Sequence, residues 1–537
     1  MASKFLSPTL IRNLRSFASS ASSSSAISAI PSLNLTDKPI QTPPSPPSVD
    51  TNLSSFSSSS YVLDLNDSPL SSSTSSSAIS AIPSLNLTDH ITSYSSNSIL
   101  DLNDHQKLFS TLPTKKLIHA SFILQLAAMD PVVDLGIWIM KSKLMQESDG
   151  VIRHAILRMI RHTFYEHFVA GEDPNEVKKY VHRLNESGLR GMLDFAVEFS
   201  TKNDGCDLNF LAFLDTIEAA KSYPPSSVSF VVAKVTAICP LKLLERVSDL
   251  LRWEKKDPSF NLPWKLNTLP VFSESSPLYH TLKKPEPLTQ EEELELELAQ
   301  LRLQKLCEKC IEANVPLVVD AEHTAVQPAI DYLTYSSAIL YNKDDNPIIY
   351  GTIQAYLKDA KERVLLATKA ADKMGIPMGF KLVRGAYMSM ERRLASSLNY
   401  QSPIHNTIQD THACYNDCAS FLLEKMADGG TGLVLATHNV ESGRLAAVKA
   451  RELGIGNNGN EKLEFAQLYG MADALSFSLR NAGFQVSKYM PFGPLDMVIP
   501  YLLRRAEENR GLLSASSLDR QLLRKELSRR VKAAAIF

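Results

Sequence analysis

Residues 227–238 read SVSFVVAKVTAI, and this stretch decides the fold class. Its centre is an apolar run of strand length, closed by a single charge at Lys234. A strand that is apolar on both faces is buried on both faces, as in a parallel sheet covered by helices. Six more runs of this kind follow: VPLVVDAE (315–322), PIIYGTIQAY (347–356), MGFKLVRGAY (378–387), GLVLATHN (432–439), LEFAQLYG (463–470) and FQVSKYMP (484–491). Helical stretches lie between them, among them LTQEEELELELAQLRLQKLCEKCIEA and VESGRLAAVKARELG. Strand–helix alternation on this scale predicts an α/β fold, a (β/α)8 TIM-type barrel rather than a small open sheet. Polar residues gather at the strand C-terminal ends: Lys234, Asp320, Gln354, Arg384, Tyr387, Thr437 and His438. In a barrel those ends form one mouth, so these side chains converge on one site.

Upstream of this region the period changes. LIHASFILQLAAMD, GIWIMKSKLM and VIRHAILRMIRHTFYEHF carry apolar residues at helical spacing. Asp173 followed by Pro174 marks another helix start. The reading is therefore a helical region over 111–226 and a barrel over 227–537.

The first 110 residues are of a different kind. They hold no Gly and no Cys, with 32 serines in the first 100 positions. Residues 1–36 contain no acid, but Lys4, Arg12 and Arg15 lie among apolar residues at helical spacing. That pattern reads as a mitochondrial transit peptide. Residues 37–110 read as a Ser- and Pro-rich disordered leader. The string SSSAISAIPSLNLTD at 23–37 recurs letter for letter at 75–89, an internal duplication.

Charge excludes one class of partner. Residues 1–110 carry 5 basic and 7 acidic side chains, leaving 51 of each sign for residues 111–537. A nucleic-acid binder needs a basic excess to neutralise phosphates, so none is expected here. Six cysteines, all at or beyond Cys206, do not make a disulfide framework.

Two apparent motifs dissolve on inspection. Gly454, Gly456 and Gly459 fit G-x-G-x-x-G, but they follow a helix and precede a strand. Dinucleotide binding needs the reverse order, so this is a helix stop. Cys307 and Cys310 form a lone CxxC inside an amphipathic helix, without a second ligand pair for zinc. No metal site is expected. By contrast, Tyr501, Arg504 and Arg505 share one helix face, and two adjacent guanidiniums can fork a carboxylate. Lys234 and Asp320, on neighbouring strand ends, are expected to pair.

Taken together, AKVTA, VVDAEHT, TIQAYLKDA, KLVRGAYM, LATHN, LEFAQLYGM and KYMPFGPLDMVIPYLLRRAEEN resemble the proline dehydrogenase family, in its plant mitochondrial form. The resemblance runs from about 227 to 509. It implies a distorted (β/α)8 barrel whose last helix lies over the mouth and which binds FAD without a Rossmann fold. It implies oxidation of L-proline to Δ1-pyrroline-5-carboxylate by hydride transfer to flavin N5, with electrons passed to membrane ubiquinone. Arg504, Arg505 and Lys234 would bind the substrate carboxylate, and Asp320 would pair with Lys234. Tyr387, Tyr489 and Tyr501 would wall the ring, with Tyr489 rejecting ring-hydroxylated proline. Lys234, Asp320 and Tyr387 are the catalytic expectations. Gln354, Thr437 and His438 would hold the flavin, with Lys381 and Arg384 beside it. Bacterial members often carry the two cations in swapped order, so which of Lys381 and Arg384 approaches N5 stays open. The expected setting is the mitochondrial matrix, peripheral to the inner membrane.

Two questions stay open at this level. A strand lysine in a barrel also suits a Schiff-base aldolase, which needs Lys234 with a lowered pKa and no flavin. The basic tail, 9 cations against 4 acids over 504–537, suits either an interfacial helix or packing on the barrel.

Overall fold

The structure is a computed structural model. It describes residues 99–537 except 143–144, 146–149, 457–461, 512 and 536–537; at 141 and 507–516 it describes the backbone alone. The transit peptide and the duplicated strings lie outside the described residues.

Eight strands close a barrel: β1 Arg190–Phe195, β2 Val228–Ala233, β3 Leu317–Val319, β4 Ile349–Gln354, β5 Met378–Val383, β6 Thr431–Ala436, β7 Leu463–Leu468 and β8 Val486–Phe492. All neighbours pair in parallel, and β1 closes on β8 from Arg190 against Ser487 to Phe195 against Phe492. The seven strands legible in the sequence are β2 to β8.

The eighth corrects the boundary at 227. β1 lies inside the segment expected to be helical, so the barrel begins at Arg190. Its sequence, RGMLDF, leaves only Gly191, Met192 and Leu193 between Arg190 and Asp194, too short an apolar run to stand out. Consequently Lys234 follows the second strand, not the first, and Asp320 follows the third. The upstream helices are otherwise present, including Thr114–Leu126, Asp130–Lys141, Val151–Ile160 and Pro174–Glu186. Asp173 caps the last of these, its Oδ1 accepting from the amides of Asn175 and Glu176 at 2.8 and 2.9 Å.

The barrel interior is filled rather than open. Met192, Phe230, Val232, Val318, Tyr350, Val434 and Ala466 form one buried cluster. Tyr350 spans it, edge-on to Phe230 at 4.9 Å. Two glycines make this packing feasible. A Cβ at Gly379 would lie 2.4 Å from the Tyr350 ring, and one at Gly432 would lie 2.1 Å from its hydroxyl. Small residues on β5 and β6 thus accommodate one large ring from β4.

The outer helices bury one face each. Gln290–Ala313 opens with a capping box, Thr289 and Glu292, and ends on Asn314 at φ 50°. It buries Leu296, Leu303, Leu306, Cys307 and Cys310. Burial of each leucine contributes roughly 1.5–3 kcal/mol. Cys307 and Cys310 are free and buried, and burial pushes both thiols up, so they act as packing residues. Gly454 and Gly456, both at positive φ, follow the helix Val440–Glu452, as a helix stop requires.

The terminal helix, Leu513–Ala535, carries most of the basic tail. It packs on Thr114–Leu126 with Leu522 and Leu523 buried. Arg529, Arg530 and His105 converge on the buried carboxylate of Glu526. Arg530 also donates to the carbonyls of Phe109 and Leu112. The end of the leader is ordered for the same reason. Leu108 and Phe109 are buried, and Phe109 meets Phe477 edge-on at 6.4 Å.

Candidate active site

Parallel closure brings every strand C-terminus to one mouth. Lys234 follows β2, Asp320 follows β3, Gln354 ends β4, and Lys381 stands within β5. Arg384 and Tyr387 come after β5, Thr437 and His438 come after β6, and Tyr489 lies in β8. The helix Leu495–Gly511, which follows β8, carries Tyr501, Arg504 and Arg505.

A charged cluster occupies the centre. Lys234 Nζ donates to Asp194 Oδ1 at 2.6 Å and to Tyr489 Oη at 3.2 Å. Asp320 Oδ2 is 3.5 Å from the same nitrogen, and Glu198 Oε1 is 3.9 Å away. Asp320 accepts more closely from Lys381 through Oδ1, and from the Tyr489 hydroxyl at 2.7 Å through Oδ2. The expected pairing of Lys234 with Asp320 is therefore secondary: each has a nearer partner of opposite charge. Burial opposes the charge on Lys234, but Asp194, Asp320 and Glu198 outweigh it and hold the ammonium above its usual range. A Schiff-base lysine needs the opposite shift, so this geometry disfavours the aldolase reading. Burial likewise opposes ionisation of Asp320, but Lys381 and Lys234 hold its carboxyl below the ordinary range.

Arg504 faces this cluster from the mouth helix. Its guanidinium forks both carboxylate oxygens of Glu198, the Nη2–Oε1 contact being 2.6 Å. It also stands 5.5 Å over the ring of Tyr387. Arg505 lies 5.3 Å over the ring of Tyr501. Tyr387 and Tyr501 are buried. A little further in, Glu322 is fully buried and both its oxygens meet the Thr236 hydroxyl, at 2.9 and 3.0 Å. Burial, with the like charge of Glu198, pushes the Glu322 carboxyl up to about 8.

A second group lies beside β5 and β6. Arg384 donates to Thr437 Oγ1 at 2.6 Å, Ser442 Oγ at 2.7 Å and His412 Nδ1 at 3.1 Å. Its guanidinium also sits 4.3 Å over the Tyr415 ring. Among the described residues no carboxylate pairs with it. Ser442 belongs to the first turn of Val440–Glu452, the positive end of that helix, where its own amide donates to the capping Asn439 Oδ1 at 2.9 Å. A half-buried cation without an anion, at a helix N-terminus, suits a phosphate or diphosphate. His438 is a neutral imidazole: burial and the nearby cations Lys488, Arg505 and Arg384 push it down to about 3. Its Nε2 accepts from the amide of Leu468 at 3.0 Å. Gln354 is buried and donates to the carbonyl of Glu322 at 2.8 Å.

Lys234, Asp320, Lys381 and Tyr489 are thus in direct contact, and Arg384 touches Thr437. Asp194 and Glu198 escaped the sequence reading because they belong to β1 and the loop after it. The available signal was the strand count: a barrel with seven visible strands lacks one. Among the described residues no group of His, Cys, Asp and Glu is placed to hold a metal ion.

Known proteins carry the same architecture. The family model described as Proline dehydrogenase matches residues 177–517, from before β1 through the mouth helix. Proline dehydrogenase 2, mitochondrial, of Arabidopsis thaliana is 58% identical over 81% of this chain and 91% of its own length. Proline dehydrogenase 1, mitochondrial, of the same plant is 60% identical over 81% and 87%. Human hydroxyproline dehydrogenase is 32% identical over 78% and 91%. Among solved structures, proline utilization A from Bdellovibrio bacteriovorus, inactivated by N-propargylglycine, superposes with a TM-score of 0.52 at 21% identity. That likeness covers 74% of this chain and 37% of the other, and it concerns the fold. A barrel whose mouth helix brings Arg504 onto Glu198, beside a lysine–aspartate–tyrosine cluster, and which one family model matches from before β1 through that helix, belongs to the proline dehydrogenase family.

Proposed function

We propose that the chain is an FAD-dependent proline dehydrogenase that oxidises L-proline to Δ1-pyrroline-5-carboxylate. The observation that carries this reading is the mouth itself: carboxylate-binding cations beside aromatic walls, next to a cation lacking an anion. Arg504, Arg505 and Lys234 fix the substrate carboxylate, which orients the ring. Tyr387, Tyr489 and Tyr501 wall the ring and exclude water. The Tyr489 hydroxyl is pinned between Lys234 and Asp320, so its wall is rigid and disfavours an added ring hydroxyl. Arg384, Thr437 and His438 would hold FAD together with Gln354, the uncompensated Arg384 meeting the diphosphate. These residues would thereby place a two-electron acceptor beside the substrate ring, hydride acceptance at N5 being the chemistry FAD would supply when bound. Lys381, fixed by Asp320, would supply a cation to the cofactor site.

The test is the visible spectrum. The purified protein, supplied with FAD, should show a flavin band that bleaches anaerobically on adding L-proline. A protein that stays colourless with FAD supplied overturns the reading.

Setting and acceptor follow from the same reading. The mitochondrion is supported by the names of the Arabidopsis relatives. Ubiquinone as acceptor implies contact with the inner membrane. No single described helix is long and apolar enough to cross a membrane. Peripheral docking is supported by exposed apolar side chains on the upstream helices: Phe122, Leu135, Trp138, Val151, Ile152 and Met159. The segment 151–162 carries three arginines and no acid, though Arg153 pairs with Asp496 and Arg161 with Glu172, so the apolar side chains and not the charge support docking. Flotation with anionic liposomes, compared between wild type and Trp138→Glu/Ile152→Glu, checks this surface; equal flotation removes it from consideration.

A further inference from the structure

The walls proposed for the substrate ring sit on different elements, and one of these is barely held by apolar packing. Tyr387 is the N-cap of the helix Met388–Ser397. Of the ten residues in that helix only Glu391 and Ala395 are buried. Leu394 is half-buried, and Met388 and Met390 are 45% and 41% exposed. A surface helix normally seats an apolar stripe. This one fully seats only a methyl group and a carboxyl group, so its place depends on what Glu391 binds.

Glu391 has no exposed surface. Its amide donates to the Tyr387 carbonyl at 2.9 Å. Its side chain reaches across to the loop after β3. Oε1 accepts from the Thr324 amide at 2.6 Å, and Oε2 accepts from the Thr324 hydroxyl at 2.5 Å. Thr324 is itself fixed from behind. Its carbonyl accepts from the buried Arg252 guanidinium at 2.5 Å, and its hydroxyl meets His280 Nε2 at 2.9 Å. A hydroxyl has one proton, and here it goes to Glu391, so His280 donates from Nε2.

The same loop holds a second wall. Asp320 accepts from the Tyr489 hydroxyl at 2.7 Å. His323 is buried and meets the Tyr387 ring edge-on at 6.0 Å. Residues 320–324 therefore hold Tyr489 by its hydroxyl, and Tyr387 by Glu391 and His323. On the other side of Tyr387 the chain is seated at Gly385, where φ is 138° and a Cβ would lie 2.4 Å from the Tyr356 ring. The Tyr387 ring is thus placed by the β3 loop as well as by its own.

We infer that Glu391 is a positioning residue: by tying Tyr387 to the loop that fixes Tyr489, it sets the width of the pocket that receives the five-membered ring. The inference rests on the proposed function and adds a determinant of its ring-size specificity. Glu391 acts through Tyr387 rather than on the substrate. With the tie cut, the helix shifts, a five-membered ring loses close contacts, and a six-membered ring gains room.

Flavin-loaded wild type, Glu391→Ala and Glu391→Gln are compared through KM and kcat for L-proline. Ring size is read with tetrahydrofuran-2-carboxylate and its six-membered homologue, tetrahydropyran-2-carboxylate, whose binding is followed by the flavin spectrum. Glu391→Ala should raise KM for proline about 10-fold, the worth of a hydrogen bond. Its preference for the five-membered ligand should shrink about 10-fold, the low end of what one methylene decides. Glu391→Gln keeps one acceptor for Thr324 and should fall between. In a Tyr387→Ala background, Glu391→Ala should change that preference by less than about 2-fold, because it acts through the missing ring. Equal weakening of both ligands, or an undiminished effect in the Tyr387→Ala background, overturns the inference, since Glu391 would then support the barrel in general. Should Glu391→Ala not fold, Thr324→Val removes the hydroxyl donor alone and must shift the preference in the same direction. If proline does not reduce wild-type flavin at all, the proposed function fails and this inference with it. If it does and the ring preference is unmoved, only the present inference fails.

Discussion

Lys234 Nζ lies 2.6 Å from Asp194 Oδ1, and this buried ion pair ties the second barrel strand to the first at the mouth. Both side chains are almost wholly enclosed, at 6% and 1% exposure. Removing one partner of such a pair strands the other charge, at a cost of roughly 3–5 kcal/mol. Asp320 and Glu198 remain near the ammonium, so Asp194→Ala should fall at the low end, about 3 kcal/mol. Urea unfolding measures it. A loss below about 1 kcal/mol would mean that the two remaining carboxylates suffice.

Arg504→Met and Arg505→Met should each raise KM for proline about 10- to 100-fold, the worth of a hydrogen bond to a charged group. Steady-state kinetics on the flavin-loaded variants decides this. An unchanged KM in both would dismiss the carboxylate fork.

Arg384 should act on the other ligand. Arg384→Gln keeps hydrogen-bonding capacity toward Thr437 and Ser442 but loses the charge. FAD affinity should fall at least about 10-fold, with a charged hydrogen bond as the yardstick. Flavin content after purification and a fluorescence titration of apoprotein both read it. Undiminished FAD affinity would assign Arg384 a purely structural place over Tyr415.

Legibility followed the physics of each strand. β2, β4 and β6 announce themselves because burial on both faces demands apolar runs, β3 does so through PLVVDAE, and β5, β7 and β8 stay legible although each carries one buried charge, Lys381, Glu464 or Lys488. β1 does not, because Arg190 and Asp194, the partner of Lys234, leave only three residues between them. Mouth residues stand out as the polar residue that ends an apolar run. Their pairings do not, because these depend on which strands share a layer. Asp320 after β3 and Lys381 on β5 belong to alternate strands and meet across the interior. Seen in sequence alone, neighbouring Lys234 was the obvious partner. The mouth helix was legible as a face of Tyr501, Arg504 and Arg505. What Arg504 does without substrate was not, because Glu198 follows the missed strand.

The glycines under Tyr350 offer a test of the interior. Gly432→Ala places a methyl against the Tyr350 hydroxyl, and Gly379→Ala places one against the ring. Each should lose about 1–3 kcal/mol by overpacking. Adding Tyr350→Phe removes the hydroxyl alone. It should recover much of the loss in the Gly432 variant and little in the Gly379 variant. Thermal melts of the four proteins check it. Equal recovery in both would show that the ring shifts as a body.

Glu322 gives the fold a pH dependence whose sign follows from its environment. An unfolded glutamate titrates near 4.3, whereas burial and Glu198 push Glu322 up to about 8. Between those values the native state holds a proton that the unfolded chain has lost. Stability therefore falls as pH rises through that window, by linkage. Glu322→Gln cannot ionise, yet it still offers the Thr236 hydroxyl an acceptor. The melting temperature of the variant relative to wild type should thus climb from pH 5 to pH 8.5. Other titrating groups cancel in that difference, because both proteins carry them. A difference that stays flat across the window would mean that Glu322 ionises in the folded protein as it does in the unfolded chain, and that the crowding of carboxylates around Glu198 is weaker than the geometry implies.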